Sequence, residues 1–308
     1  MTEDLIVHVS AEDAGLMIKE IIYRRLKLSR GLLRRMKQGG GVFLNGTRAF
    51  VTQRVKENDV ISIYFHDSAT DLPAEDIELD ILWEDDSLVV VNKPPNMAVH
   101  PTGSYQSGTL ANALAYYWQK QGLKRKIRLV HRLDRETSGA ILVAKEPYAF
   151  HKLVQQLRRN DLTRKYLAIC EGHIEHHSGV IDQPIKRAEN DEDHGLKRVV
   201  DADGKPAKTK YEVIRTYYHD KEHKLTLAKL QLFSGRTHQI RVHLAWLGYP
   251  ILADPIYSKP SSLINRQALH AWSLSFRHPR TGRTVNISVP LPGDMADILK
   301  YCKEGELG

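Results

Sequence analysis

Cysteine is scarce in this chain of 308 residues: Cys170 and Cys302 are far apart and sit in no C-x-x-C spacing. That excludes a disulfide framework and a thiolate zinc site, and it predicts reduced thiols. No window approaches the roughly 18 consecutive apolar residues of a membrane span. The opening MTEDLIVHVS lacks the basic-then-apolar layout of a secretory signal, so the cytoplasm is the expected address. Neither a Walker loop nor a G-x-G-x-x-G motif occurs, which leaves no cradle for a nucleotide or a redox cofactor. There are 15 histidines but no H-E-x-x-H motif among them. His238 and His243 are five apart, and His173, His176 and His177 lie in a polar stretch, so no metal is expected. The hydrophobic content of 42% supports one large domain plus a smaller one.

Acidic residues are missing from one place in particular. Net charge is +8 overall, but from Lys19 to Lys56 there are eleven Lys/Arg and one Asp/Glu, a local +10. Residues 1–66 together carry eleven basic and seven acidic residues, or +4. A solvated lysine-rich face normally intersperses acids, so this patch is the footprint expected for a polyanion.

Periodicity organises the same region. Ile18, Ile21, Ile22 and Leu26 recur at helical spacing, and Ser29 can cap a second helix in which Arg30, Arg34 and Lys37 share a face. Glycines 39–41 stop it, VFLNGTRAF reads as two strands around an Asn45-Gly46 turn, and VISIYF alternates as a strand. The acidic, proline-bearing DSATDLPAED follows as a linker. The expected division is therefore 1–66, a small basic domain; 67–76, a linker; and 77–308, a larger domain. In the last, the strand candidates LDILW, SLVVVN, GAILVAK, RKYLAICEG, KTKYEVIRTYY, KLTLAKLQLF, ALHAWSLSF and RTVNISVP outnumber the helices TLANALAYYWQKQG, AFHKLVQQLRR and 237–247. Without a regular βαβ alternation, the expectation is α+β on a mostly antiparallel mixed sheet. The polar stretch 186–208 reads as a surface excursion.

Two resemblances sharpen this reading. The order of helix, Ser-Arg, basic helix, glycine turn and V-x-x-N-G over about 50 residues resembles the αL RNA-binding motif of a small-subunit ribosomal protein and several RNA-modifying enzymes. Farther on, HRLDRETSG and, downstream, GRTHQIRVH, with KPPNMAVHP ahead of both, resemble the RluA-type family of pseudouridine synthases. Two positions depart from that pattern: Ser234 stands where the family usually has Thr, and Ala253 where it usually has Gly before Asp254.

The resemblance implies the pseudouridine synthase fold and an isomerase that breaks the C1′–N1 bond of a uridine, turns the base over and rejoins it through C5, with no cofactor. It implies Asp134 as the catalytic carboxylate, attacking C1′ or removing the 2′ proton. Arg241 would be its cationic partner, since a nearby guanidinium favours the charged carboxylate. Tyr166 would lie under the target base, and Arg132 would fill the gap left by the extruded nucleotide and touch phosphate. Arg30, Arg34 and Lys37 would bind RNA backbone. Leu133 is expected to face the core, and Thr137, Ser138 and Gly139 to make a tight turn with hydroxyls on local backbone. RNA is the expected partner, ribosomal before transfer RNA, with no membrane and no obligate protein partner; a monomer is the default. Two other readings use the same residues: a glycosidase or nucleosidase pairing Asp134 with Glu136 on one strand face, and a non-catalytic RNA-binding protein.

Overall fold

In a computed structural model of the chain, the described residues are 5–39, 41–65, 70–103, 105–123, 125–189, 197–219 and 223–304. The N-terminal unit follows its periodicities. Strands β1 (Leu5–His8), β2 (Gly41–Leu44), β3 (Thr47–Arg48) and β4 (Val60–Tyr64) form an antiparallel sheet in the order β1-β4-β2-β3. Asn45 and Gly46 both take positive φ, 51° and 80°, as the two-residue hairpin turn requires. Helix α1 (Ile18–Arg24) buries Ile18, Ile21 and Ile22, and α2 (Arg30–Gly39) buries Leu32, Leu33 and Met36 in the same core. The Leu32 amide donates to Ser29 Oγ at 3.2 Å, which is the expected cap. Arg34 is exposed on α2, whereas the side chains of Arg30 and Lys37 lie outside the described set.

This unit is docked on its neighbour. Tyr148, on α4 (Pro147–Arg159), is part of the N-terminal core, and Gln155 Nε2 of the same helix donates to the Lys27 carbonyl at 2.9 Å. The stretch 70–80 has no regular structure and is strapped along α3 (Leu110–Lys120). Asn112 Nδ2 donates to the Pro73 carbonyl at 2.9 Å, and Tyr116 Oη to Asp76 at 2.9 Å.

The large sheet runs β10-β13-β14-β9-β15-β8-β6-β5, with β16, β17 and β7 paired beside β15, β13 and β8. These strands are β5 (Ile81–Glu84), β6 (Leu88–Lys93), β7 (Arg128–Leu129), β8 (Ser138–Ala144), β9 (Thr163–Glu171), β10 (Ser178–Asp182), β13 (Lys208–Tyr218), β14 (Lys224–Leu232), β15 (Leu269–Arg277), β16 (Thr284–Ser288) and β17 (Lys303–Glu304). A separate two-stranded sheet, β11 (Ile185–Arg187) with β12 (Arg198–Val200), occupies part of the polar excursion and packs at α5 (Gln239–Trp246). The last helix is α6 (Gly293–Tyr301).

Burial on both faces explains why the central strands read as apolar runs rather than clean alternations. All seven residues of β8 are buried: Ile141 and Val143 belong to the core that holds α3, and Ala140, Leu142 and Ala144 to the core that holds α4. The expected α+β architecture holds, and β8–β15 is the parallel pair in an otherwise antiparallel sheet.

One local expectation is overturned. Thr137 and Ser138 do not turn their hydroxyls onto local backbone. Ser138 Oγ lies 2.9 Å from His270 Nδ1 on β15, and Thr137 Oγ1 accepts from Gln267 Nε2 at 3.4 Å. A parallel seam brings a distant strand closer than sequence neighbours can reach. Among the described residues no helix is long and apolar enough to cross a membrane.

Candidate active site

The turn 131–137 enters the sheet centre at the start of β8, and Asp134 sits on it rather than on a strand. Its carboxylate, 29% exposed, takes one bond from Arg241 Nη1 at 3.2 Å. Arg241 is buried on α5, where its fork is filled by Asp254: Nε to Oδ2 at 2.6 Å and Nη2 to Oδ1 at 2.7 Å. Burial works against the Arg241 charge, but its hydrogen bonds to Asp254, then the charges of Asp254 and Asp134, more than offset it and hold its pKa above the ordinary arginine value. The expected pair of Asp134 and Arg241 is thus brought together. Asp254 was not singled out in the sequence, where it is one acid among thirty-seven.

Breaking a buried pair from one side leaves a charge without its counter-ion. Asp254→Asn offers the fork one acceptor in place of two and is expected to cost about 3 kcal/mol, read as a lowered midpoint in guanidinium unfolding.

Tyr166, on β9, is buried and lines a small pocket with Arg132, Asp134, Arg236, His238 and Arg241. Burial, and secondarily the Asp134 charge, raises its phenol pKa, so the proton stays on. Arg132 is exposed, with no ion pair among the described residues, and lines both this pocket and a cleft of about 1180 Å³ beside it. That cleft is walled on one side by Leu32 and Met36 of α2 and Phe65, and on the other by the Asp134 turn. Leu133 faces the core as expected.

His238 has φ +55° at the N-cap of α5, a conformation uncommon for a residue with a Cβ. Its Nδ1 is 3.1 Å from Tyr257 Oη, which already accepts the Arg198 amide at 2.9 Å. The Tyr257 ring also lies under the Arg241 guanidinium, 5.2 Å from centroid to Cζ.

Two side chains whose roles the sequence did not reveal hold the Asp134 turn in place. Lys93, fully buried at the end of β6, donates from Nζ to the carbonyls of Pro94 (2.6 Å), Met97 (2.8 Å) and Arg135 (2.9 Å). Burial pulls its pKa down to about 7, with Glu136 and Asp134 pulling the other way. Arg266, bidentate to Asp294 at 2.7 and 2.9 Å, reaches the Glu136 carbonyl at 3.1 Å. Glu136 itself accepts the Asn96 amide at 3.1 Å and pairs with Arg135 at 3.4 Å. It is on a turn, engaged with its own neighbours, so the strand-face pairing of Asp134 with Glu136 is not what the chain builds.

His131, beneath the turn, accepts the Leu142 amide on Nε2 at 3.2 Å. Burial first, then the Arg164 charge, pulls its pKa down to about 3, and burial takes His270 to about 4. In the unfolded chain both imidazoles take up protons near their ordinary value, whereas in the fold they stay neutral. Stability is therefore complete above about pH 6.5 and is lost as pH falls toward the folded values, by about 2 kcal/mol per histidine at about pH 5. Melting temperatures at neutral pH and at about pH 5 check this, and His131→Gln is expected to flatten the acid slope.

No group of three or more His, Cys, Asp or Glu able to hold a metal is present among the described residues. What the geometry offers is an ionisable carboxylate at the edge of a basic cleft, a buried guanidinium behind it, an aromatic ring beside it and an exposed arginine at the mouth. Comparison with known proteins fits that inventory. The profile of the RNA pseudouridylate synthase family matches residues 87–246. A Bacillus subtilis protein described as the uncharacterized RNA pseudouridine synthase YlyB is 39% identical over 281 residues, 90% of each chain. The ribosomal large subunit pseudouridine synthase D of Nitrosomonas europaea is 36% identical over 299 residues, 93% of this chain and 84% of the relative. Among solved structures, the human RNA pseudouridylate synthase domain containing 1 aligns with a TM-score of 0.61 at 26% identity, over 76% of this chain and 92% of the other. With a family profile spanning more than half of the chain, and relatives matched nearly end to end, the chain belongs to the RNA pseudouridine synthases of the RluA type, isomerases built on the α+β fold described above.

Proposed function

We propose that this enzyme isomerises specific uridines of large-subunit ribosomal RNA, with Asp134 acting on a nucleotide drawn out of its stack. The observation that carries this reading is the Asp134 carboxylate itself, partly exposed at a basic cleft and backed by the buried Arg241. A negative charge there can attack C1′, or take the 2′ proton, while countering positive charge as the glycosidic bond loosens. Tyr166 supplies a ring for the base and a protonated hydroxyl near C5. Arg132, exposed and with no ion pair among the described residues, would fill the vacated stack, where a cation offsets the few kcal/mol that flipping costs. The unit 1–66, with Arg30, Arg34 and Lys37 on α2, would capture flanking RNA from across the cleft. The protein would work in the cytoplasm as a monomer.

The choice of ribosomal over transfer RNA rests on relatives named as acting on the ribosomal large subunit, among them that of Nitrosomonas europaea. Incubating the protein with unmodified large-subunit ribosomal transcripts and with unmodified transfer RNA, then mapping pseudouridine, tests it. Discrete sites in the ribosomal transcript are expected. Modification confined to transfer RNA would overturn the assignment, and release of free uracil would favour a hydrolytic use of Asp134.

A further inference from the structure

Arg164 lies on β9 two residues before Tyr166, so the two side chains share a strand face. It is 5% exposed, yet no carboxylate meets it among the described residues. Nη2 donates to the Ser234 carbonyl at 3.0 Å, and buried Nε has no hydrogen-bond partner there. The other buried guanidiniums at the site are matched, Arg241 by Asp254 and Arg266 by Asp294. Burial lowers the Arg164 pKa from the ordinary value, and what opposes the shift is the Tyr166 phenol rather than a carboxylate. A buried charge left without a counter-ion is among the costliest features a fold can carry.

The surroundings say what would complete it. Arg164 lines the cleft with Arg132, Arg158 and Arg236, where the one carboxylate among the lining residues is Asp134. Gly235 stands against it: a Cβ there would be 3.1 Å from Nη1, so a side chain larger than hydrogen would crowd the guanidinium. A guanidinium with an unpartnered N–H at the wall of such a cleft is chemically matched to the oxygens of a phosphate.

We infer that Arg164 is a built site for one backbone phosphate of the RNA, adjoining the nucleotide presented to Asp134, so that the substrate supplies the missing counter-charge. The inference rests on the proposed function and adds an anchor to it. A residue kept for a ligand's charge has an unusual signature: removing it should help the free protein and harm the complex. Arg164→Met, in the full chain, is expected to melt no lower than the parent without RNA. Its affinity for unmodified large-subunit ribosomal transcript should weaken roughly tenfold, with a salt dependence shallower by about one counter-ion. Inorganic phosphate should raise the melting temperature of the parent more than that of the variant. Arg164→Lys keeps the charge without the fork, so it should retain the salt slope at an intermediate affinity, and it carries the test should the Met variant fail to fold. A lower melting temperature with unchanged binding would make Arg164 structural. Unchanged binding with a reduced saturating rate would make it a support for Tyr166. Either result overturns the phosphate site while leaving Asp134 untouched, whereas an active Asp134→Asn protein would overturn the proposed function and not the binding measurement.

Discussion

Asp134→Asn is expected to lower pseudouridine formation by about 10⁴-fold or more, the scale on which enzymes lose rate when the group doing the covalent or proton chemistry is removed. Asparagine keeps the volume and one acceptor oxygen, so Arg241 is not left bare. Its fork stays on Asp254, and the single 3.2 Å contact at a part-exposed edge is worth about 1 kcal/mol or less. The fold should survive nearly unchanged. RNA affinity should also hold within about threefold, because phosphate contacts dominate it and Asp134 makes none. Digesting the treated RNA to nucleosides reads the rate, and filter binding reads the affinity. An Asn variant that keeps a tenth or more of the parental rate would remove Asp134 from the chemistry.

That Asp134 and Arg241 could be paired from the sequence, while Asp254 could not, has a physical basis. The first two lie in motifs whose residue order is distinctive. Asp254 is defined by what it touches, and its partner is thirteen residues away across a loop. Arg266 and Asp294 are likewise ordinary charged residues until the fold places Arg266 under the Glu136 carbonyl, and Lys93, although it opens KPPNMAVHP, shows its role only where its ammonium meets the Arg135 carbonyl. The helices and hairpin of residues 18–48 were legible because their signals are local: apolar spacing, a serine cap and an Asn-Gly turn. Strands β11 and β12 were not, being three residues each in a polar stretch, and their pairing depends on the α5 surface they cover. Ala253 carries a lesson of its own. It takes φ +57°, which explains why the family usually places glycine there. This chain tolerates the strain in return for a buried methyl.

Gly139→Ala is expected to be the most damaging added methyl among the described glycines, costing about 4 kcal/mol or more and lowering the melting temperature by roughly 10 °C. Two effects add. At φ +110° a residue with a Cβ is strained whatever the space around it. Here there is also no space: the new carbon would lie 2.3 Å from the Ala271 carbonyl oxygen and 2.7 Å from its nitrogen. Both are backbone atoms of β15, which is held on its other side by β9, so no side chain can swing away to relieve the clash. Opening the β8–β15 seam would move the Asp134 turn relative to Tyr166, and activity should fall with stability. Gly282→Ala provides the control, since it has φ +70° with nothing within 4 Å of the added carbon. It bears the conformational cost alone, about 1 kcal/mol. Guanidinium midpoints for the two variants separate strain from close approach. If they shift equally, the tight contact across the parallel seam is not what makes glycine necessary at position 139, and the rigidity assigned to the support of Asp134 loses its basis.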